Sequence, residues 1–256
     1  MLISNTGRFF LKACNATGSF ILFLGHVLRT FFSEKPPYKK ILHNIESIGI
    51  HSLPIVLLTG TFSGAVLALQ SYLGFKRFGG QDFIGPIVAL TLTRELGPVL
   101  TGLMVTGRAG SSIAAEIGTM KITEQIDALR TMNINIWHYL MVPRIVAATF
   151  IVPFLSLIAM LMGILGGYFV CTYILHINSH LYILGIQKHI DLFDIISGLI
   201  KSAFFGLIFS WVGCYKGYKT YGGAQGVGKA TTQTVVLASV MILIANYFLT
   251  ALLFGL

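Results

Sequence analysis

Two adjacent ionisable residues, Arg94 and Glu95, stand inside an otherwise apolar stretch that runs from about Phe83 to Gly107. An ionisable group at membrane depth costs about 2.5 kcal/mol or more, so each of the two needs a partner or water. Neighbouring residues on a helix do not face one another. The pair therefore cannot neutralise itself, and at least one member is predicted to look into a cavity or towards another helix. Pro98 removes the hydrogen bond that would reach the Arg94 carbonyl and predicts a kink at that level. Two kinds of chemistry fit: an ion pair that stitches helices together, or a polar site in the path of a substrate. The second is the preferred reading.

Other reactive residue types do not assemble into a site. Ser111 and Ser112 have no histidine and aspartate at a spacing that implies a nucleophile, so no catalytic residue is assigned. His176 and His180 could share a helix face with His189 beyond them, but no carboxylate completes an H-E-x-x-H arrangement, so neither metal nor cofactor is expected. Gly223 to Lys229 matches the start of a phosphate-binding loop. Ala230 follows where that motif needs Ser or Thr for magnesium, and no strand precedes it, so nucleotide binding is rejected.

The elements that hold Arg94 and Glu95 are set by composition. Of 256 residues 55% are hydrophobic and 11% charged, against roughly a quarter charged in a soluble domain. With a mean hydropathy of +0.79 this is an integral, all-α membrane protein. Its net charge of +9 does not point to nucleic acid, because the Lys and Arg residues lie at the edges of apolar runs, as the positive-inside rule requires. Cys14, Cys171 and Cys214 lack a disulfide or metal spacing and are read as core residues.

Five spans are predicted: Ser47 to Phe75, Phe83 to Gly107, Pro143 to about Leu175, Asp194 to Cys214, and Ala230 to Leu256, the last capped by Thr231 or Thr232. His51 near the inner end of the first is a packing residue, and Lys201 near the outer end of the fourth is expected to snorkel. The third span is followed by a small outer element around His176 to His189, and the fourth by a Gly-rich loop, KGYKTYGGAQGVGKATT. Small residues in two rows, Gly107, Ser111 and Ala115 with Gly110, Ala114 and Gly118, predict close helix packing. Ahead of the spans, residues 1–40 form an interfacial amphipathic helix and a linker at Pro36-Pro37. Basic residues on both sides of its apolar run argue against a crossing, and no small-x-small site marks a cleaved leader. Residues 41–256 then make up the five-span domain. Thirteen basic residues fall in the predicted inner segments and three in the outer loops, which places the N-terminus inside and the C-terminus outside.

Between the second and third spans lies a polar island, Glu116 to Met132. Thr123 can cap a short helix with Glu124 in its first turn, Asp127 following, Arg130 in its last turn and Asn133 as its stop. Ile122, Ile126 and Leu129 form one apolar stripe. The island is too short to cross a bilayer, and Glu116, Glu124 and Asp127 would be repelled by anionic headgroups. It is read as a coupling helix, about 119–133, that docks in a cleft of a soluble motor subunit.

The string LTRELGPVLTGLMVTGRAGSSIAAEIGTMKITEQIDALRTM, with GGAQGVGKATTQTVV later, resembles the MlaE/YrbE permease family of ABC transporters associated with MCE proteins. The likeness covers roughly Ile45 to Leu256; Lys121, where Arg is common, and Asn133, where a small residue is common, are its departures. It implies a homodimeric inner-membrane permease with an interfacial helix and five spans. Its partners would be a cytoplasmic ATPase, a ring of MCE-domain subunits and sometimes a STAS-domain subunit, and its cargo phospholipid moved between inner and outer membranes. It also implies that Glu116, Thr123, Glu124, Asp127 and Arg130 meet the ATPase. Arg94 and Glu95 would border the lipid cavity, with Gln70 and Tyr72 near its outer part. Two other classes compete: an ion-coupled carrier in which Glu95 and His51 relay protons, and a membrane anchor that only holds partners together. An intramembrane enzyme is the weakest alternative.

Overall fold

A computed structural model describes residues 2–33, 37–76 and 80–255, without the side chains before Cys14 or those of Ala16 and Gln81. The linker at Glu34 to Pro36 and the loop at 77–79 lie outside the described residues. Eight helices carry the fold, and no strand occurs among the described residues. They are α1 (Leu2–Ser33), α2 (Tyr38–Phe75), α3 (Ile84–Ile122), α4 (Gln125–Thr131), α5 (Trp137–Ile174), α6 (Ser179–His189), α7 (Leu192–Tyr218) and α8 (Gly223–Phe254). Five of them, α2, α3, α5, α7 and α8, are long and apolar enough to cross a membrane. Chain order makes successive spans antiparallel, so α1 and α4 gather at one end of the bundle, here the α4 end, and α6 at the other, the α6 end.

Each span is longer than the stretch predicted for it, because a helix with no breaker continues past the apolar zone until turn chemistry stops it. The second does not end at Gly107: α3 carries on through Arg108 and Glu116 to Ile122. The third begins at Trp137 rather than Pro143, because a wide π-turn, Trp137–Met141, precedes the α-helical part that starts at Val142. The Gly-rich stretch is corrected in the same way. Gly222 and Gly223 take positive φ, +86° and +67°, and from Gly223 the chain is helical. Thr231 and Thr232 are inside α8, donating to the Gly228 carbonyl, and cap nothing.

Small residues set the spacing of the spans. A Cβ on Gly60 of α2 would come within 2.7 Å of the Ala159 carbonyl of α5, and one on Gly64 would collide with the Gly163 carbonyl. Such close backbones are the packing that membrane helices use in place of a hydrophobic drive. Around this seam a large core unites α1, α2, α3, α5, α7 and α8, and a smaller core with Ile84, Val88, Val170 and Tyr182 closes the α6 end. Burial pushes the Tyr182 hydroxyl pKa upwards, and that hydroxyl donates to the Ile164 carbonyl at 3.3 Å.

The first helix is clamped to this body by rings. Phe20 stacks on Trp211 with centroids 3.9 Å apart, and Phe23 meets Trp137 edge-on at 4.9 Å. Ser19 bonds the Tyr215 hydroxyl at 2.9 Å and accepts from Lys219 at 2.8 Å. Cys171 and Cys214 are buried, whereas Cys14 is exposed, which corrects its reading as a core residue.

Candidate functional site: a charged cluster at membrane depth

Arg94 and Glu95 sit in a π-turn, Leu92–Leu96, where Gly97 donates back to the Leu92 carbonyl. Such wide turns inside α-helices recur at functional sites. Immediately after it Pro98 has no N–H to give. The Arg94 carbonyl accepts instead from the Lys201 ammonium at 2.9 Å, so a side chain from α7 fills the acceptor that the proline leaves open.

Lys201 does not snorkel. It is completely buried, and its other two protons go to Glu95 Oε1 at 2.6 Å and Thr250 Oγ1 at 2.8 Å, so all three donors are used. Glu95 also accepts from Thr250 at 3.0 Å and, through Oε2, from Asn246 at 2.9 Å, both on α8. Two turns above Lys201 on α7, Asp194 is 1% exposed and takes the Arg94 Nε proton at 2.6 Å. Its second oxygen accepts from the Asp191 amide at 3.0 Å, closing a capping box at the start of α7. The two adjacent charges of α3 are thus matched by two opposite charges seven residues apart on one face of α7. Breaking such a buried pair by removing one member costs about 3–5 kcal/mol.

This quartet also borders open space. Leu90, Thr91, Arg94, Glu95, Thr250 and Phe254 line a groove of about 560 Å³. Arg94 and Glu95 keep 40% and 33% of their side-chain surface exposed. Arg94 gives only Nε to Asp194; neither Nη carries a hydrogen bond among the described residues. Phe254 covers the guanidinium at 4.8 Å. An oriented guanidinium with two free donors beside apolar walls can bind a phosphate or carboxylate group. Gln70 is exposed near the end of α2, and Tyr72 packs against the small core at the α6 end. Neither lines the Arg94 groove within one chain.

At the α4 end the predicted helix of about 119–133 divides. α3 ends at Ile122, and the chain turns at Thr123 and Glu124, the latter left-handed at φ +60°. Only Gln125–Thr131 forms α4. Thr123 does not cap it: its hydroxyl donates back to the Thr119 carbonyl at 2.8 Å, finishing α3. Asn133, at φ +57°, ends the segment. Ile126 is fully buried and Leu129 packs on the core, so the apolar stripe faces the chain's own helices. The charged faces are turned outward. Glu124 is exposed without an ion pair among the described residues; Asp127 bonds Lys121 at 3.0 Å and lies 3.6 Å from Arg130, which also bonds the Tyr218 hydroxyl. Glu116 pairs with Arg144 at 3.1 Å.

Of the small residues, the row of Gly110, Ala114 and Gly118 faces α7. A Cβ on Gly213 would lie 3.0 Å from the Gly110 carbonyl, and one on Gly217 2.9 Å from the Ala114 carbonyl. Gly107, in the other row, has open space beside it, and Ser111 bonds the Gly107 carbonyl.

Fold and site together define a multi-pass helical membrane protein with an ionic cluster inside its bundle, bordering a groove. A family profile described as Permease MlaE matches residues 41–252, and the chain belongs to that family: it is a permease subunit, not an enzyme. It is 49% identical over 250 residues to a probable ABC transporter permease protein of Rickettsia typhi, covering 97% of this chain and 96% of that one. A probable ABC transporter permease protein of Synechocystis is 39% identical over 216 residues, 84% and 82% of the two chains. The intermembrane phospholipid transport system permease protein MlaE of Haemophilus influenzae is 38% identical over 226 residues, 86% and 87% of the two.

The sequence signal for the missed partners was available. Asp194 and Lys201 are the acid and the base that begin the fourth apolar run, and two uncompensated charges in one span call for two opposite charges in another. Reading Lys201 as a snorkelling residue hid that match.

Proposed function

We propose that this chain is the membrane permease subunit of an ABC transporter that moves phospholipid between the inner and outer membranes, working as a homodimer with a separate ATPase. The observation that carries the reading is the Arg94 guanidinium, fixed by Asp194 yet holding two donors free over an apolar groove. That is the chemistry a phospholipid needs, a cation for its phosphate and apolar walls for its chains. The name of the Haemophilus relative agrees with this cargo. The α4 end faces the cytoplasm, where the positive-inside rule puts its basic residues. There Glu124, Asp127 and Arg130 of the short helix meet the ATPase, and α1 lies along the interface. MCE-domain subunits cover the α6 end.

The ion-coupled alternative loses its relay. Glu95 is engaged by Lys201, Thr250 and Asn246, while His51 is an exposed neighbour of Ser52, the residue that Arg108 binds. Arg108 lies about 20 Å further along α3 than Glu95 at 1.5 Å per residue.

The test is to purify the chain from native membranes and identify by mass spectrometry both the co-purifying subunits and the retained lipid. An ATP-binding subunit and phospholipid are expected; recovery of neither would refute the proposal.

A further inference from the structure

A second cationic cleft, remote from the groove, lies at the α4 end between α2, α3 and α5. It encloses about 240 Å³ and receives Lys40, Arg108 and Arg144, against a single carboxylate, Glu116. Both guanidiniums are held in place by the protein. Arg108 donates from Nε to Ser52 Oγ at 2.9 Å and from Nη2 to the Ser47 and Ile48 carbonyls at 2.9 and 3.0 Å, leaving Nη1 without a bond among the described residues. The side chain of Arg144 is 13% exposed; it gives Nη1 to the Leu140 carbonyl at 2.9 Å and Nη2 to Glu116 at 3.1 Å. Its Nε is buried with no partner among the described residues. Lys40 covers the Tyr139 ring.

A buried donor left unmade is costly, and three cations around one carboxylate repel one another. The repulsion falls when an anion with several acceptor oxygens enters. Arg108 follows Arg94 by fourteen residues, about 21 Å along the helix. The cleft therefore stands near the far headgroup level when Arg94 lies within the hydrocarbon, whose thickness is about 30 Å. Above it, on the α2 face that bears Lys40, Asn44 and Ser47, the residues Ile55, Leu58, Phe62, Val66, Leu69 and Leu73 recur at helical spacing, and all are exposed. A basic, hydrogen-bonding foot beneath an uncovered apolar strip is complementary to an anionic amphiphile.

We propose that this cleft binds the phosphate of a phospholipid in the leaflet at the α4 end, with its chains along the exposed strip of α2. Arg108 Nη1 and the Lys40 ammonium are the donors, and Arg144 adds its charge. The site is separate from the Arg94 groove, and rests only on the membrane placement given above, not on transport.

Native mass spectrometry of the detergent-purified full chain tests it, with dioctanoyl phosphatidylglycerol, dioctanoylglycerol and inorganic phosphate as probes. Phosphatidylglycerol is expected to bind and dioctanoylglycerol not to, with equimolar inorganic phosphate failing to displace the lipid. Arg108→Gln should weaken one phosphatidylglycerol site about tenfold, as loss of a charge-assisted bond implies, and Arg94→Gln should leave that site unchanged. Because Arg108 also braces α2, Lys40→Glu, at the rim, is the second variant; it should weaken the same site several-fold with an unchanged melting temperature. Wild-type phosphatidylglycerol binding in Lys40→Glu, or displacement by equimolar phosphate, would overturn the proposal. Loss of a site in Arg94→Gln alone would support the groove and not this cleft.

Discussion

Lys201 is the residue whose environment leaves least room for substitution. Its ammonium satisfies the Glu95 carboxylate, the Thr250 hydroxyl and a backbone carbonyl stranded by Pro98. Lys201→Met keeps the apolar stem but strands Glu95 beside Asn246, whose Oδ1 is already buried without a partner. A loss of about 3–5 kcal/mol of stability is expected, read as a lowered unfolding midpoint of the detergent-solubilised protein. Adding Glu95→Gln to Lys201→Met should recover part of it, because the double variant no longer buries an unpaired charge. Additive losses in the double variant would mean that the two side chains do not act on each other. Arg94 is partly exposed, but its partner Asp194 is 1% exposed and keeps one other donor, the Asp191 amide. Replacing Arg94 by a side chain that cannot donate is therefore expected to cost stability on a similar scale.

At the scale of elements the close seams make a sharper demand than hydrophobicity does. Gly198 of α7 packs so tightly on the π-turn of α3 that a Cβ would collide with the Thr93 carbonyl and come within 2.7 Å of Met160. Gly198→Ala should destabilise the protein by about 1–3 kcal/mol, as overpacking does, and move Asp194 and Lys201 away from their partners. Gly107→Ala has free space and should be neutral or stabilising by up to about 1 kcal/mol from helix propensity; thermal unfolding of the two variants side by side checks both. The five spans were legible as apolar runs long enough for a bilayer. Their ends were not, because charge marks where lipid stops, whereas a helix stops at backbone chemistry. So α3 runs on through Arg108 to Ile122, and α8 starts at Gly223 inside a stretch whose glycines suggested a loop. Arg94 and Glu95 were legible from their cost alone as charges that need partners. Their partners were not read because long-range pairing is a property of helix order around the bundle, which periodicity along one helix does not contain.

For the whole molecule, the two ends differ in charge and exposure. At the α4 end Ile126 anchors the short helix to the bundle while Glu124, Asp127 and Arg130 point away from it, and under the proposed function a force on that helix would pass into α3 and α5 at its two flanks. Glu124→Lys with Asp127→Lys should leave insertion and folding intact at a cost of about 1 kcal/mol, since the pairs of Asp127 with Lys121 and Arg130 lie at the surface. The same variant should release the ATPase; unaltered co-purification of the ATPase would remove the docking role. The most direct measurement of the central claim is ATP-dependent movement of a fluorescent phospholipid in vesicles holding the reconstituted transporter, comparing wild type with Arg94→Gln. The account predicts that Arg94→Gln assembles with its ATPase and hydrolyses ATP but moves phospholipid at least about tenfold more slowly, the worth of one charge-assisted contact. Phospholipid movement at the wild-type rate in that variant would contradict it.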